Sequence, residues 1–147
     1  MARPLAMPRV RMADAVLVVE DDAALREMMA QQLHLAGFAP ATAPNGYEAL
    51  ALLRQGFPAK LILLDLKMPI MDGWAFRAAQ RRDPDLADIP VIVMSARDAA
   101  GLDAAAVFSK PIDGEEMISV VRAMCAGFVR RRRDSPIPRS LGPEQRK

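Results

Sequence analysis

Short apolar runs alternate with stretches that repeat apolar residues at helical spacing along the middle of this chain. Three runs are almost wholly apolar, at 16–19, 61–64 and 90–94. Such runs favour strands buried on both faces of a parallel sheet. Two weaker strands are predicted at 38–43, where Pro40 favours an edge position, and at 106–109.

The stretches between these runs predict helices. Polar residues suited to cap a helix precede them, namely Asp22, Asn45, Asp72 and Asp113. The first and last helices repeat apolar side chains three or four residues apart. The third helix is predicted from about Gly73 to Arg82. The alternation predicts an α/β fold: a doubly wound five-stranded parallel sheet with helices on both faces.

Polar side chains stand where four of the predicted strands end. They are Glu20 and Asp21, then Asp65, Ser95 and Lys110. The carboxyl ends of parallel strands share one edge, so these groups are expected to meet. Three carboxylates in one pocket repel each other and raise one another's pKa. Mg²⁺ and the Lys110 ammonium would balance this charge, and Asp65 beside them is suited to accept a phosphoryl group.

Composition places one domain between two basic ends. The chain has 147 residues, of which 52% are hydrophobic, and a net charge of +2. Residues 1–12 carry three arginines and no acid, and residues 130–147 carry seven basic against two acidic groups. The middle, 13–129, carries ten basic and sixteen acidic residues. We therefore expect a globular domain over 14–129 between disordered basic segments at 1–13 and 130–147.

Cysteine content and hydropathy bear on the compartment. Cys125 is the single cysteine, so an intramolecular disulfide is excluded and a reducing compartment is favoured. No apolar stretch approaches the roughly 18 residues that a membrane span needs. The first dozen residues contain Pro4 and Pro8 and are followed by no apolar core, so they are not expected to act as a signal peptide. These features favour a cytoplasmic protein.

Four sequence strings together resemble the receiver domain of two-component response regulators. They are VVEDD at 18–22, LDLKMPIMDG at 64–73, PVIVMSA at 90–96 and SKP at 109–111, in the family's order. The resemblance covers about residues 14–128. It implies a flavodoxin-like fold with strand order 2-1-3-4-5.

The resemblance also implies a role for each site residue. Asp65 would take a phosphoryl group from the phosphohistidine of a histidine kinase or histidine phosphotransfer protein. Mg²⁺, for which Mn²⁺ can substitute, would bind to Asp65, Asp21, the backbone carbonyl of Lys67 and, often through water, Glu20. The phosphoryl oxygens would meet the Ser95 hydroxyl, the Ala96 amide and Lys110. The Lys110–Pro111 peptide bond is expected to be cis.

The segment between Ser95 and Lys110 departs from the family pattern. Residues 96–109 must supply a strand and two connections, so the family's fourth helix is expected to be shortened or missing here. Val107 stands three residues before Lys110, where the family often has an aromatic residue. We therefore expect output through another surface or through loop ordering.

Two other functions compete with phosphoryl acceptance. A phosphorylation-independent adaptor is left open by the short segment before Lys110. A haloacid-dehalogenase-type phosphatase is disfavoured, since that family needs an aspartate where this chain has Lys67, and a signalling module rather than an enzyme is expected.

The residues after the last helix carry four consecutive arginines, at 130–133. They suit a solvated helix end, or docking to an acidic partner, nucleic acid or membrane surface. Specific nucleic-acid binding is not expected, since aromatic interleaving is missing. Because the residues after the last helix are too few for an output domain, a stand-alone receiver that signals to a downstream protein is predicted.

Overall fold

The computed structural model describes residues 13–95 and 104–127. Five strands and four helices follow one another in these ranges. They are β1 (Ala15–Val19), α1 (Ala23–Leu35), β2 (Ala39–Ala43), α2 (Gly46–Arg54), β3 (Leu61–Asp65), α3 (Gly73–Arg82), β4 (Val91–Ser95), β5 (Ala106–Ser109) and α4 (Gly114–Cys125). The predicted elements are confirmed, with boundaries shifted by a residue or two.

The strands form one parallel sheet in the order β2-β1-β3-β4-β5. This confirms the doubly wound, flavodoxin-like topology. β1, β3 and β4 are buried along their whole length, as their continuous apolar runs predict. The two edge strands are partly exposed: β2 contains Pro40, which has no N–H to donate to a further strand, and β5 alternates buried and exposed residues.

Alternate residues of the central strands supply two cores, one on each face of the sheet. On one face, Val16, Leu63 and Met94 pack with residues of α1 and α4. On the other face, Leu17 and Leu64 pack with residues of α2 and α3. The period of two along each strand explains the division, because successive side chains point to opposite faces. Helices therefore cover both faces, as predicted.

Each helix begins at a polar residue whose side chain accepts a backbone hydrogen bond. Asp22 accepts from the N–H of Leu25 at 3.1 Å, and the same role falls to Asn45, Asp72 and Asp113. All four predicted caps are confirmed. They matter for the site, because the loops that hold the caps lie at the carboxyl edge of the sheet.

The connection from β4 to β5 is confined to residues 96–105 by the bounds of the two strands. Most of the predicted shortened or missing fourth helix falls on 96–103, outside the described residues. Val107 lies in β5 and is 39% exposed. No helix within 13–95 and 104–127 is long and apolar enough to cross a membrane.

Candidate functional site

Three carboxylates come together at the carboxyl edge of the sheet. Glu20 and Asp21 follow β1 directly, and Asp65 is the last residue of the neighbouring strand β3. One carboxylate oxygen from each of the three lies within 4.8 Å of the others. The topology produces this cluster, because β1 and β3 are parallel neighbours that end at the same edge.

Lys110 connects two members of this cluster. Its Nζ lies 3.0 Å from Oε1 of Glu20 and 3.3 Å from Oδ2 of Asp65. Glu20 is fully buried and Asp65 is 4% exposed, whereas Asp21 is exposed. The three acids therefore differ in their exposure to solvent. Glu20 and Asp65 are buried and contact the ammonium group of Lys110, whereas Asp21 faces solvent.

The proton affinities of the buried groups reflect this packing. Burial raises the pKa of Glu20 above its ordinary value, and the charge of Asp65 adds to this rise. Hydrogen bonds from the Asp22 N–H and Lys110 act in the opposite direction without cancelling it. For Lys110, burial alone would lower the pKa, but the hydrogen bond to Glu20 and the two carboxylates raise it. The lysine therefore carries its charge at neutral pH.

The donor set fits a hard divalent cation. Carboxylate oxygens are the ligands that Mg²⁺ prefers, and Mg²⁺ usually keeps several waters beside one or two carboxylates. Exposed Asp21 leaves a solvent-facing side for such waters. The cluster of Glu20, Asp21 and Asp65 supplies three such carboxylate oxygens close together.

The loop after Asp65 is folded tightly against it. Gly73 donates its N–H to the carbonyl of Leu66 at 2.9 Å. A Cβ at Gly73 would lie 2.5 Å from the carbonyl oxygen of Asp65, so only glycine permits this approach. The start of α3 is thereby held beside the phosphoacceptor candidate. The sequence string alone did not reveal this contact.

A strained turn lies in the same loop. The N–H of Met71 bonds to the carbonyl of Pro69 at 2.7 Å around Ile70, whose φ is 70°. This is a γ-turn with positive φ, a rare conformation for any residue and costly for a β-branched one. Ile70 is also 81% exposed, so it gains little by burial. The Gly46 N–H bonds to the Met71 carbonyl at 2.9 Å and helps to hold the turn.

The other predicted site residues are placed as follows. Ser95 is buried at the end of β4, and its carbonyl accepts a hydrogen bond from the N–H of Lys110 at 3.0 Å. The Lys110–Pro111 bond is cis, as expected. Lys67 has an exposed side chain in the loop after β3. Ala96 lies outside the described residues.

One residue near the acids was missed by the sequence reasoning. Arg26, in α1, donates from Nη1 to the carbonyl of Glu20 at 2.8 Å and to that of Asp21 at 3.4 Å. A single arginine four residues after a helix cap gives no signal of this contact. It depends on how the loop turns between β1 and α1.

Comparison with known proteins identifies the family. The sequence model of the response regulator receiver domain matches residues 16–122. The chain belongs to this family. It is therefore a receiver domain of the two-component signalling type, and receiver domains are signalling modules that interact with histidine kinases or phosphotransfer proteins.

Curated relatives show the same membership. RpaA of Synechocystis sp., described as a DNA-binding dual master transcriptional regulator, is 36% identical over 125 residues, which are 80% of this chain and 49% of RpaA. The response regulator MprA of a Mycobacterium species is 37% identical over 116 residues, 74% of this chain and 49% of MprA. The chain thus spans about half the length of these relatives. The stand-alone organisation and the 14–129 domain limits stay predictions.

Solved structures agree with the fold. The receiver domain of Francisella response regulator 1452 is 26% identical, with a TM-score of 0.69 over 78% of this chain and 98% of that one. The chemotaxis response regulator CheY4 of Vibrio cholerae is 26% identical, with a TM-score of 0.70 over 77% and 99% of the two chains. The receiver fold is therefore shared across the described sheet.

Proposed function

We propose that Asp65 accepts a phosphoryl group from a phosphohistidine on a histidine kinase or histidine phosphotransfer protein. The observation that carries this proposal is the position of Lys110, whose ammonium group lies between two buried carboxylates, beside exposed Asp21. A fixed cation next to a carboxylate nucleophile is what phosphoryl transfer requires, since the catalyst mainly positions the reactants and balances charge.

In the proposed reaction, a carboxylate oxygen of Asp65 attacks phosphorus in line with the bond to the histidine nitrogen. The new P–O bond forms as the P–N bond breaks, and the imidazole leaves with its electron pair. Lys110 stabilises the phosphoryl oxygens from the side where it already contacts Asp65 at 3.3 Å. Ser95 and the Ala96 amide are proposed to bind the phosphoryl oxygens of the product.

Glu20, Asp21, Asp65 and the Lys67 carbonyl are proposed to hold Mg²⁺, or Mn²⁺ in its place. The cation would neutralise charge on the phosphoryl oxygens as they approach the carboxylates. We further propose a cytoplasmic module that signals to a downstream protein, in keeping with free Cys125. The Val107 position supports an output route that does not depend on an inward-moving aromatic ring.

The proposal is tested by incubating the full chain with phosphoramidate and Mg²⁺ and following the intact mass. We expect the gain of one phosphoryl group, stable in acid and labile in alkali, that is lost in Asp65→Asn and suppressed by EDTA. Asp83→Asn, which removes an acid far from the site, serves as the matched control and should label normally. Absence of label in the wild type would favour a phosphorylation-independent adaptor, and rapid turnover of phosphate esters would favour a phosphatase.

A further inference from the structure

The loop that holds Glu20 and Asp21 is short and carries two of the three acids. Its first residue is fixed to the sheet, because the Glu20 N–H bonds to the Ala43 carbonyl at 3.0 Å. Its far end is fixed to the helix, where Arg26 N–H bonds to the Asp22 carbonyl at 2.8 Å. Between these two points lie the backbone carbonyls of Glu20, which is buried and needs a hydrogen-bond donor, and of exposed Asp21.

Arg26 supplies that donor from the first turns of α1. Its Nη1 contacts both carbonyls, at 2.8 and 3.4 Å, and its side chain is half-buried over the loop. These bonds fix the two peptide units whose side chains point into the acidic cluster. The Asp22 N–H in turn bonds to Oε2 of Glu20 at 3.0 Å, so the orientation of the carboxylate depends on the same loop.

We propose that Arg26 is a positioning residue for cation binding: it holds the backbone of Glu20 and Asp21 so that both carboxylates face Asp65. The inference rests on the proposed function, because it assigns the acidic cluster to a divalent cation. Arg26 does not touch the cation in this proposal; it acts through the two carbonyl groups.

Positioning and simple electrostatics predict opposite signs. Removing a positive charge beside three carboxylates makes the pocket more negative, which by Coulomb's law strengthens cation binding. Removing the hydrogen bonds lets the loop relax and spreads the carboxylates, which weakens cation binding. Replacing a residue that orients a metal ligand weakens metal affinity by about 10- to 100-fold. The sign of the change therefore identifies the role.

The test is Mg²⁺ titration of the full chain by calorimetry, with wild type, Arg26→Gln and Arg26→Lys. We expect Arg26→Gln to raise the dissociation constant for Mg²⁺ about tenfold. Arg26→Lys keeps the charge without the planar fork, and should recover only part of the affinity. Unchanged or tighter Mg²⁺ binding in Arg26→Gln would overturn the proposal.

Arg54→Gln is the matched control, since Arg54 forms an exposed ion pair with Asp83 at 3.4 Å. It removes the same charge from the chain and should leave the Mg²⁺ dissociation constant within about twofold of wild type. A second readout uses metal-free protein: amide exchange at Asp22 should speed up in Arg26→Gln and not in Arg54→Gln. Equal exchange at Asp22 in both variants would contradict the positioning role.

The proposed function fails in a different way. If wild type binds Mg²⁺ but takes no label from phosphoramidate, phosphoryl acceptance is wrong, and the Arg26 variants still test positioning. If the label forms normally and Arg26→Gln binds Mg²⁺ as tightly as wild type, phosphoryl acceptance stands and the role of Arg26 is wrong.

Discussion

The two ends of the parallel sheet carry the same kinds of charged residue in very different surroundings. At the amino end, Asp14 and Lys60 form an ion pair at 3.6 Å, and Arg54 pairs with Asp83 at 3.4 Å. The basic side chains of these pairs are each 56% exposed. At the carboxyl end, the side chain of Lys110 is 21% exposed, and the side chains of Glu20 and Asp65 that it contacts are only 1% and 6% exposed.

This difference shows at which end of the sheet charged side chains can take part in a reaction. An exposed ion pair contributes about 0–1 kcal/mol, because water screens it and both side chains lose freedom. Charges held in a buried site interact more strongly and need no reorganisation when a new charge arrives. Acidic and basic residues occur at both ends of the sheet, but within the described residues they form a candidate reaction site at the carboxyl end, where they are buried together.

The backbone follows a related contrast. At the amino end, helices α1 and α2 are followed by Gly37 and Gly56, with φ of 100° and 108°. At the carboxyl end, the comparable positive φ falls on Ile70, which is β-branched. Strain is thus found in the loop beside Asp65 and avoided at the other end, in keeping with the tendency of strain to collect at functional sites.

The largest expected effect comes from replacing the lysine at the carboxyl end of the sheet. We expect Lys110→Met to slow phosphorylation by phosphoramidate on the order of 100-fold, because one fixed charge next to the phosphoryl oxygens is lost. Lys60→Met, which removes an exposed lysine, should label within about twofold of wild type. Intact-mass time courses would measure both, and equal rates in the two variants would break the comparison.

Cation binding gives the next largest effect. Mg²⁺ at 100 times its dissociation constant should raise the free energy of unfolding of wild type by about 2.7 kcal/mol. Asp21→Asn should remove most of that gain, and Asp14→Asn should keep it. Thermal melts with Mg²⁺ and with EDTA would show this. A gain of the same size in Asp21→Asn would mean that Mg²⁺ acts elsewhere.

Backbone strain should give smaller effects of opposite sign at the two ends. We expect Ile70→Gly to raise the free energy of unfolding by about 1 kcal/mol, because glycine tolerates positive φ. Gly37→Ala should lower it by about 1 kcal/mol, since a Cβ there meets no atom within 4 Å and only the backbone is strained. Denaturant titrations would measure both, and destabilisation by Ile70→Gly would show that its side chain makes contacts worth more than the strain.

The smallest effect is a pH dependence of the metal-free protein. Burial raises the pKa of Glu20 in the folded state above the ordinary value of 4.5. At pH values between 4.5 and the raised pKa of Glu20, the folded protein binds more protons than the unfolded protein. The free energy of unfolding therefore falls as the pH rises through this window. Glu20→Gln cannot titrate and should show a flatter profile.

Denaturant melts in EDTA, from below pH 4.5 to pH 7, would compare the two proteins. The free energy of unfolding of Glu20→Gln relative to wild type should increase with pH across the window. A constant difference would contradict the raised pKa of Glu20.

Much of the fold and part of the site could be predicted from the sequence. The continuous apolar runs identified β1, β3 and β4, because a strand buried on both faces must be apolar throughout. The caps Asp22, Asn45, Asp72 and Asp113 were readable for a local reason: each bonds within three residues of itself. Acids at strand ends indicated the cluster, since parallel strands end together.

Contacts that depend on how a loop turns or how a helix packs could not be predicted from the sequence. The reach of Arg26 back to two carbonyls depends on the turn between β1 and α1, and the approach of Gly73 to Asp65 depends on how α3 packs. The conformation of Ile70 depends on the hydrogen bonds that Met71 forms with Pro69 and with Gly46. The spacing of these residues along the sequence does not predict the distances between them in the fold.

The sequence by itself determined that this chain folds as a parallel α/β receiver domain with acids, a serine and a lysine at strand ends, because periodicity and local bonding are written along the chain. Only the tertiary structure decided which two acids are buried, which one faces solvent and how the ammonium group lies between the two buried carboxylates. Burial and distance set the strength of electrostatic interactions, and both arise only when separate strands are packed together.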